Sequence, residues 1–413
     1  KTEIKHSYCK ESGLSVERFE IEYNRTLNQL KLFADYLENS YLELISETPQ
    51  DKKNNLPKLE KKRIPLGPIV VFGASNFPLA YSTLGGDTVS ALAAGCPVIV
   101  KAHPYHPETS FLVGEAIQNA INQTDFSPGL FSQLFDNGYE VAKQLVQDNR
   151  IKAAGFTGSY RGGIALFDLV QKRDNPIPFF AEMGSSNPVF VFPELLYEKK
   201  EEWTSIFAKS ITNDAGQFCT KPGIFFVPNT SSGEDFIEKL CNKVLAEPSF
   251  YMLHPTICSS YEKNKMKRLN DSKGVLFEKQ GELDSNQGRQ GILVTNVEDL
   301  FENTTQQEEV FGPFAVVFRY NTNDELKRAI ELLNGQLTSS ILCSDRELEE
   351  YDEIIFTIIQ KAGRIIRNGV PTGVRVCESM HHGGPFPATT DSRFTAVGTD
   401  SVLRFTRPVV YQG

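Results

Sequence analysis

From Gly67 onward the chain alternates short uninterrupted apolar runs with stretches in which apolar residues return every three or four positions. The runs "GPIVVFGA", "PVIVKAH" and "IKAAGFTGS" predict buried strands, while "TLGGDTVSALAAG", "HPETSFLVGEAIQNAI" and "RGGIALFDLVQK" predict helices. Strands separated by helices of this length imply a parallel sheet with crossover helices on its faces, an architecture suited to nucleotides. A second series starts near Asn187 with "PVFVF", a helix around Trp203, and then "GIFFVP", "AVVFRY", "DELKRAIELLNG", "SSILCS" and "GRIIRNG". The fold class is therefore α/β, with two parallel-sheet domains.

The two ends of the chain read differently. Residues 15 to 45 carry Leu27, Leu30, Leu32, Phe33, Tyr36 and Leu37 at helical spacing, which predicts one long amphipathic helix with no strand before it. "SETPQDKKNNLPKLEKKRIPLG" is polar and proline-punctuated and predicts an exposed excursion or hairpin. The last stretch, "SVLRFTRPVVYQG", reads as an exposed strand that needs a partner, either the hairpin near residues 45 to 63 or another subunit.

Composition narrows the function. With 413 residues, 40% of them hydrophobic and 23% charged, the chain has the make-up of an ordinary globular protein of two domains. Its net charge of -9, with acids and bases mixed along the sequence, argues against nucleic-acid or membrane-surface partners and favours small-molecule chemistry. No apolar stretch approaches the roughly 20 residues of a membrane span. The seven cysteines are odd in number, scattered and without a C-x-x-C pair, which reads as reduced thiols in the cytoplasm. No metal is expected: "HHGGPFPATTDSRF" has paired His381 and His382 near Cys377, but no evident third and fourth ligands.

Several stretches could carry chemistry. In "NDAGQFCTKPG" the thiol of Cys219 lies in a glycine-framed loop after a predicted helix, where a reactive group or a small apolar filler would both fit. "FGASNFP" presents Asn76 at the end of a buried strand, as an oxyanion donor or as the holder of its own turn. "AEMGSSNP" places Glu182 after an apolar run, where a partly buried carboxylate can serve as a base, although surface glutamates are common. "FTGSYRGG" puts Gly158, Ser159, Gly162 and Gly163 on a strand-to-helix turn, a phosphate site or only a turn. "EEVFGPF" leads an acidic pair into Phe311 and a Gly-Pro turn.

Taken in order, "GASNFP", "IVKAHP", "FTGS", "EMGSSNP", "GQFCTKPG" and "EEVFGPF" resemble the aldehyde dehydrogenase superfamily over nearly the whole chain. The wording around residues 72 to 110, with "HGGPFPATTDSRFTAVGT" and "RPVVYQ", looks most like its 2-oxoglutarate semialdehyde (2,5-dioxovalerate) branch. The resemblance implies a Rossmann-like NAD(P)-binding domain at 1–41 and 64–185, a catalytic domain at 186–395, and an oligomerisation or bridging segment at 42–63 and 396–413. It implies that Cys219 is the nucleophile, that Asn76 with the Cys219 backbone N–H stabilises the oxyanion, and that Glu182 activates water. For the cofactor it implies Lys101 at the adenosine ribose, Gly158 and Ser159 at the pyrophosphate, and Glu309 and Phe311 at the nicotinamide ribose and ring. Phe77, Phe218 and Phe386 match tunnel-wall positions, and Arg161 and Arg393 are candidate anchors for the substrate's carboxylate. Where many NAD-preferring relatives have an acidic residue three positions after the lysine, this chain has Pro104, so NADP is expected to be accepted alongside NAD or preferred to it.

The resemblance further implies a homodimer or homotetramer. The family has several tens of residues before the helix at 15 to 45, and by that measure the chain reads as N-terminally incomplete and short at its C-terminus. Two other readings of the same residues stay open: a non-catalytic relative that keeps the scaffold and cofactor site, and a thiol hydrolase.

Overall fold

The computed structural model describes residues 1–39 and 44–413. Two parallel sheets organise these residues. The first has five strands in the spatial order Phe131–Leu134, Val98–Lys101, Ile69–Phe72, Ala153–Thr157 and Phe179–Glu182. Every neighbouring pair is parallel, with Ile69 opposite Val98 on one side and Ala153 on the other. By chain order this is the 3-2-1-4-5 winding, whose crevice opens at the carboxyl ends of Ile69–Phe72 and Ala153–Thr157. All four residues of Ile69–Phe72 are buried, as expected for a strand covered on both faces.

The second sheet has seven strands in the order Val275–Glu278, Gly291–Asn296, Phe314–Tyr320, Ile224–Pro228, Val189–Val191, Gln336–Leu342 and Ala362–Arg367. Only the first pair is antiparallel. Phe226 stacks between Phe190 and Phe318, with ring centroids 5.1 and 5.5 Å away, and this ladder forms the centre of one core face.

A third, antiparallel sheet joins Leu44–Thr48, Leu59–Pro65 and Thr406–Gln412. The terminal strand therefore finds its partner within the chain, at 59–65. The segment 396–413 is more than a bridge, however. Val402 and Phe405 pack in the core of the first sheet with Ile69 and Val98, and Arg404 pairs with Asp87 at 2.7 Å.

The expected helix at 15 to 45 is corrected in three ways. It runs only Val16–Asn39, a strand occupies Leu44–Thr48, and another helix, Thr2–Ser12, precedes it. Its buried stripe is Phe19, Glu22, Thr26, Gln29 and Phe33, while Leu27 and Leu37 are exposed. Polar residues can occupy this face because their groups are satisfied. The Glu22 carboxylate accepts from the Tyr8 hydroxyl at 2.6 Å and from the N–H groups of Leu79 and Ala80 at 2.8 and 2.9 Å. The helix is thereby fastened to the turn that follows Ile69–Phe72.

Candidate active site

The loop that carries Cys219 is built on strained backbone. After the helix Leu195–Thr212, three consecutive residues, Asp214, Ala215 and Gly216, adopt left-handed conformations with φ of 48°, 55° and 65°. A side chain at Gly216 would put a Cβ 2.4 Å from the carbonyl oxygen of Gly312, so only glycine lets the loop lie against that turn. The reversal is held from outside. Arg18 donates to Asp214 at 2.9 Å, and the Asn76 amide donates to the Gln217 carbonyl at 2.9 Å. Asn187 donates to the carbonyls of Cys219 and Lys221.

Three functional groups converge here. The Nε2 of His382 lies 3.7 Å from the Cys219 sulfur and 3.1 Å from Oε1 of Glu182, and the three groups lie within 4.8 Å of one another. Glu182 ends the last strand of the first sheet and is fixed there by the loop 383–395, through a bridge to Thr389 and the Met183 N–H to Ala388 bond at 2.8 Å. His382 stands just before that loop, and its backbone N–H donates to the Thr395 hydroxyl oxygen. Burial would raise the Glu182 carboxyl, but His382 and the thiol hydrogen bond outweigh it and hold it below the usual range. Burial, then the charges of Glu182 and Glu309, push the Cys219 thiol well up, against the opposing pull of Arg25.

The partly buried Glu309 and the buried Lys221 act on each other through their charges. Burial pushes Glu309 up to about 7 and Lys221 down to about 8, each partly countered by the other's charge. The Lys221 ammonium donates to the carbonyls of Val310 and Phe314 at 3.1 and 2.6 Å. Gly184 leaves room for the Glu309 carboxylate, since a Cβ there would lie 2.5 Å from it. Phe311 follows, partly buried, in the same turn.

The remaining cofactor candidates sit at the carboxyl ends of the first sheet. Lys101 donates to the Asp136 carbonyl at 2.7 Å, and burial lowers its pKa. Ser159 caps the helix Tyr160–Gln171, and Gly158 donates to the Glu182 carbonyl. Both residues are exposed, leaving a helix N-terminus open at the crevice, which fits a phosphate.

The substrate candidates divide. Phe77 and Phe218 meet edge to face at 5.7 Å under the Arg18 guanidinium, with Phe218 next to Cys219 in the chain. Phe386 does not join them: it is 56% exposed and packs on Tyr160, at the start of the helix after Ser159. Arg161 lies exposed in that same first turn, on the phosphate side. Arg393 points to solvent with 80% exposure and is neutralised by Asp391 at 2.5 Å, two residues away.

Two other arginines, Arg25 and Arg364, are partly buried. Arg25 donates to the Val374 carbonyl at 2.7 Å and the Tyr81 hydroxyl at 2.9 Å, and Arg364 donates to the carbonyls of Gly373 and Pro371. Each has an enclosed Nε with no partner, and among the described residues neither has a carboxylate in reach. Both act electrostatically on Cys219. Sequence reading missed them, and missed His382 as a member of the site, because no local pattern distinguishes them. The only sequence signal was the "HHGG" text itself.

The Aldehyde dehydrogenase family model matches residues 1–385. The chain is 41% identical over 415 residues to the alpha-ketoglutaric semialdehyde dehydrogenase of Acinetobacter baylyi, across 98% of this chain and 77% of that protein. It is 40% identical over 407 residues to alpha-ketoglutaric semialdehyde dehydrogenase 2 of Azospirillum brasilense, across 97% and 77%. Among solved structures, glyceraldehyde-3-phosphate dehydrogenase GapN of Methanocaldococcus jannaschii, complexed with NADP, superposes with a TM-score of 0.80 at 19% identity. That match covers 100% of this chain and 85% of GapN.

Proposed function

The chain belongs to the aldehyde dehydrogenase family, and from that premise we propose that it oxidises 2-oxoglutarate semialdehyde to the dicarboxylic acid with a nicotinamide cofactor. The observation that carries the substrate class is the pair Arg25 and Arg364. Guanidiniums with an enclosed, unpartnered Nε that act on the partly buried Cys219 thiol are costly unless an anion completes them. The carboxylate and 2-oxo group of this aldehyde are such a partner, and the relatives named for it share some 40% of the sequence.

In this reading the Cys219 thiolate attacks the aldehyde carbon to form a thiohemiacetal. The carbonyl electron pair passes to oxygen, which the Asn76 amide and the Cys219 backbone N–H receive. When bound, the nicotinamide supplies the acceptor for the hydride that the thiohemiacetal carbon gives up. Lys101, Gly158, Ser159, Glu309 and Phe311 would hold that cofactor. Glu182, kept ionised by His382, takes a proton from water as it attacks the thioester.

The Phe77–Phe218 wall beside Cys219 supports a narrow apolar entry for the carbon chain. Pro104, placed after Lys101, supports acceptance of NADP. Seven free cysteines support a reducing, cytoplasmic setting, and no helix among the described residues is long and apolar enough to cross a membrane. The edges of the small antiparallel sheet, with Val410 and Tyr411 each 54% exposed, support assembly into a dimer or tetramer. The test is nicotinamide reduction followed by absorbance with 2-oxoglutarate semialdehyde and an uncharged aldehyde of equal length. Turnover abolished by Cys219→Ala, with cofactor binding kept, supports the reading. Hydrolysis of a thioester without cofactor reduction would replace it with the thiol-hydrolase reading.

A further inference from the structure

Glu182 has one oxygen that the chain leaves unanswered. Its Oε1 lies 3.1 Å from His382 Nε2, whereas Oε2 is enclosed and has no hydrogen-bond partner. A carboxylate oxygen withheld from water in this way is costly unless a donor reaches it. Glu182 borders a cavity of about 20 Å³, a space that takes one water. His382, whose Nδ1 is likewise enclosed and unpartnered, borders the same cavity, and so does Arg404. Phe156, Phe180 and Phe394 supply apolar lining, which keeps the local dielectric low and polar contacts strong.

Arg404 reaches this place from the end of the chain. It is 4% exposed and belongs to the segment Thr399–Phe405, whose Val402 and Phe405 pack in the core of the first sheet. Its guanidinium pairs with Asp87 at 2.7 Å, in the first turn of the helix Gly86–Ala93, and donates to the Ser90 hydroxyl and the Ser401 carbonyl at 3.2 Å each. Asp87 lies against Gly155, where a Cβ would come 2.8 Å from the carboxylate. The guanidinium is thus fixed beside the cavity. None of these bonds goes to Glu182, yet the charge of Arg404 favours its ionised form. His382 and the Cys219 thiol also favour that form, while Glu309 and Tyr81 feel the charge of Glu182 in turn. Asp391, at the cavity wall, is answered by Arg393. Of the groups acting on Glu182, Arg404 alone is cationic at every working pH.

We propose that this cavity is a water site and that Arg404 is a positioning residue for the base: one water accepts from the Arg404 guanidinium and donates to Glu182 Oε2, holding the carboxylate with Oε1 toward the sulfur. This rests on Glu182 being the base of the proposed oxidation. A water held between a cation and a carboxylate bonds nearly as well as a direct contact. With both oxygens engaged the carboxylate cannot rotate, and the bridged charge keeps it ionised to lower pH, ready for the proton of the attacking water.

The test isolates the hydrolytic step with p-nitrophenyl acetate, which acylates a thiolate without any cofactor. The Cys219 sulfur bonds to the acyl carbon and p-nitrophenolate leaves with the C–O pair. Water then bonds to that carbon, its proton passes to Glu182, and the C–S pair returns to sulfur. Absorbance reads the first step and loss of the acetyl mass the second, across pH, with Cys219→Ala as the blank. Glu182→Gln identifies the inflection that belongs to the base, and an inflection that survives in it removes the proposal. In Arg404→Met the deacylation inflection should move up by at least about half a unit, so that below it the rate falls about threefold or more. Acylation should stay within about twofold, and Arg404→Lys should restore most of the shift. A purely structural arginine would slow both steps with the inflection unmoved, and that result overturns the proposal. Should Arg404→Met fail to fold, Asp87→Asn, which frees the guanidinium of its counter-charge, should move the inflection down; no downward shift overturns it. A crystal structure of the wild type should show one ordered water within hydrogen-bond distance of Glu182 Oε2 and Arg404, and a dry cavity refutes the water site. Failure of the oxidation reading would appear separately, as no nicotinamide reduction with any aldehyde while acetyl-enzyme still forms and decays.

Discussion

Asn187 donates from one amide nitrogen to the carbonyl of Cys219 at 2.8 Å and to that of Lys221 at 2.9 Å. A single side chain thus fixes the backbone at Cys219 and two residues later, while its own oxygen accepts from Thr338 at 2.9 Å. Asn187 holds a left-handed φ of 47°, which asparagine tolerates better than most residues.

Asn187→Ala leaves two buried carbonyls short of a donor, at about 1–3 kcal/mol each, and adds about 1 kcal/mol of backbone strain. Urea denaturation should show a loss of about 3 kcal/mol or more. In steady-state kinetics kcat should fall more than KM rises, because the sulfur loses its aim while the entry stays intact.

Glu309 should make cofactor affinity pH-dependent. Its carboxyl, pushed up to about 7 by burial, is protonated below that value and ionised above it. Only the ionised form accepts fully from ribose hydroxyls, so the Kd for NADPH, followed by fluorescence, should tighten as pH rises through about 7. Glu309→Gln should bind about tenfold more weakly at pH 8 and lose the dependence.

Cofactor choice should turn on Pro104, which follows the buried Lys101 at the edge of the crevice. Pro104→Glu sets a carboxylate near a 2'-phosphate, and like charges repel. The ratio of kcat/KM for NADP over NAD should fall about tenfold or more, corresponding to at least about 1.4 kcal/mol. A wild-type enzyme that already strongly prefers NAD would reject the role given to this proline.

Substrate selection should follow Arg25 and Arg364, with no part for Arg393. Removing one guanidinium from an enclosed carboxylate site costs about 2–5 kcal/mol. Arg25→Gln and Arg364→Gln should therefore lower kcat/KM for the dioxo acid by at least about thirtyfold, while an uncharged aldehyde changes little. Arg393→Ala, with its charge already met by Asp391 in solvent, should leave both substrates within about twofold.

The sequence by itself determined the α/β class, the succession of strands and helices from Gly67 onward, and the identity of Cys219, Glu182, Asn76 and Glu309 as candidates. It could do so because buried strands must be written as apolar runs, and because the candidate groups stand in short ordered motifs. Tertiary structure decided the rest, where long-range satisfaction overrides local pattern. Glu22 turns a polar face of Val16–Asn39 inward only because Tyr8 and the N–H groups of Leu79 and Ala80 wait there. His382 gains its place from a carboxylate 200 residues away in sequence. Arg25 and Arg364 come to act on Cys219 from the helix Val16–Asn39 and the last strand of the seven-stranded sheet, a juxtaposition that no spacing along the chain encodes.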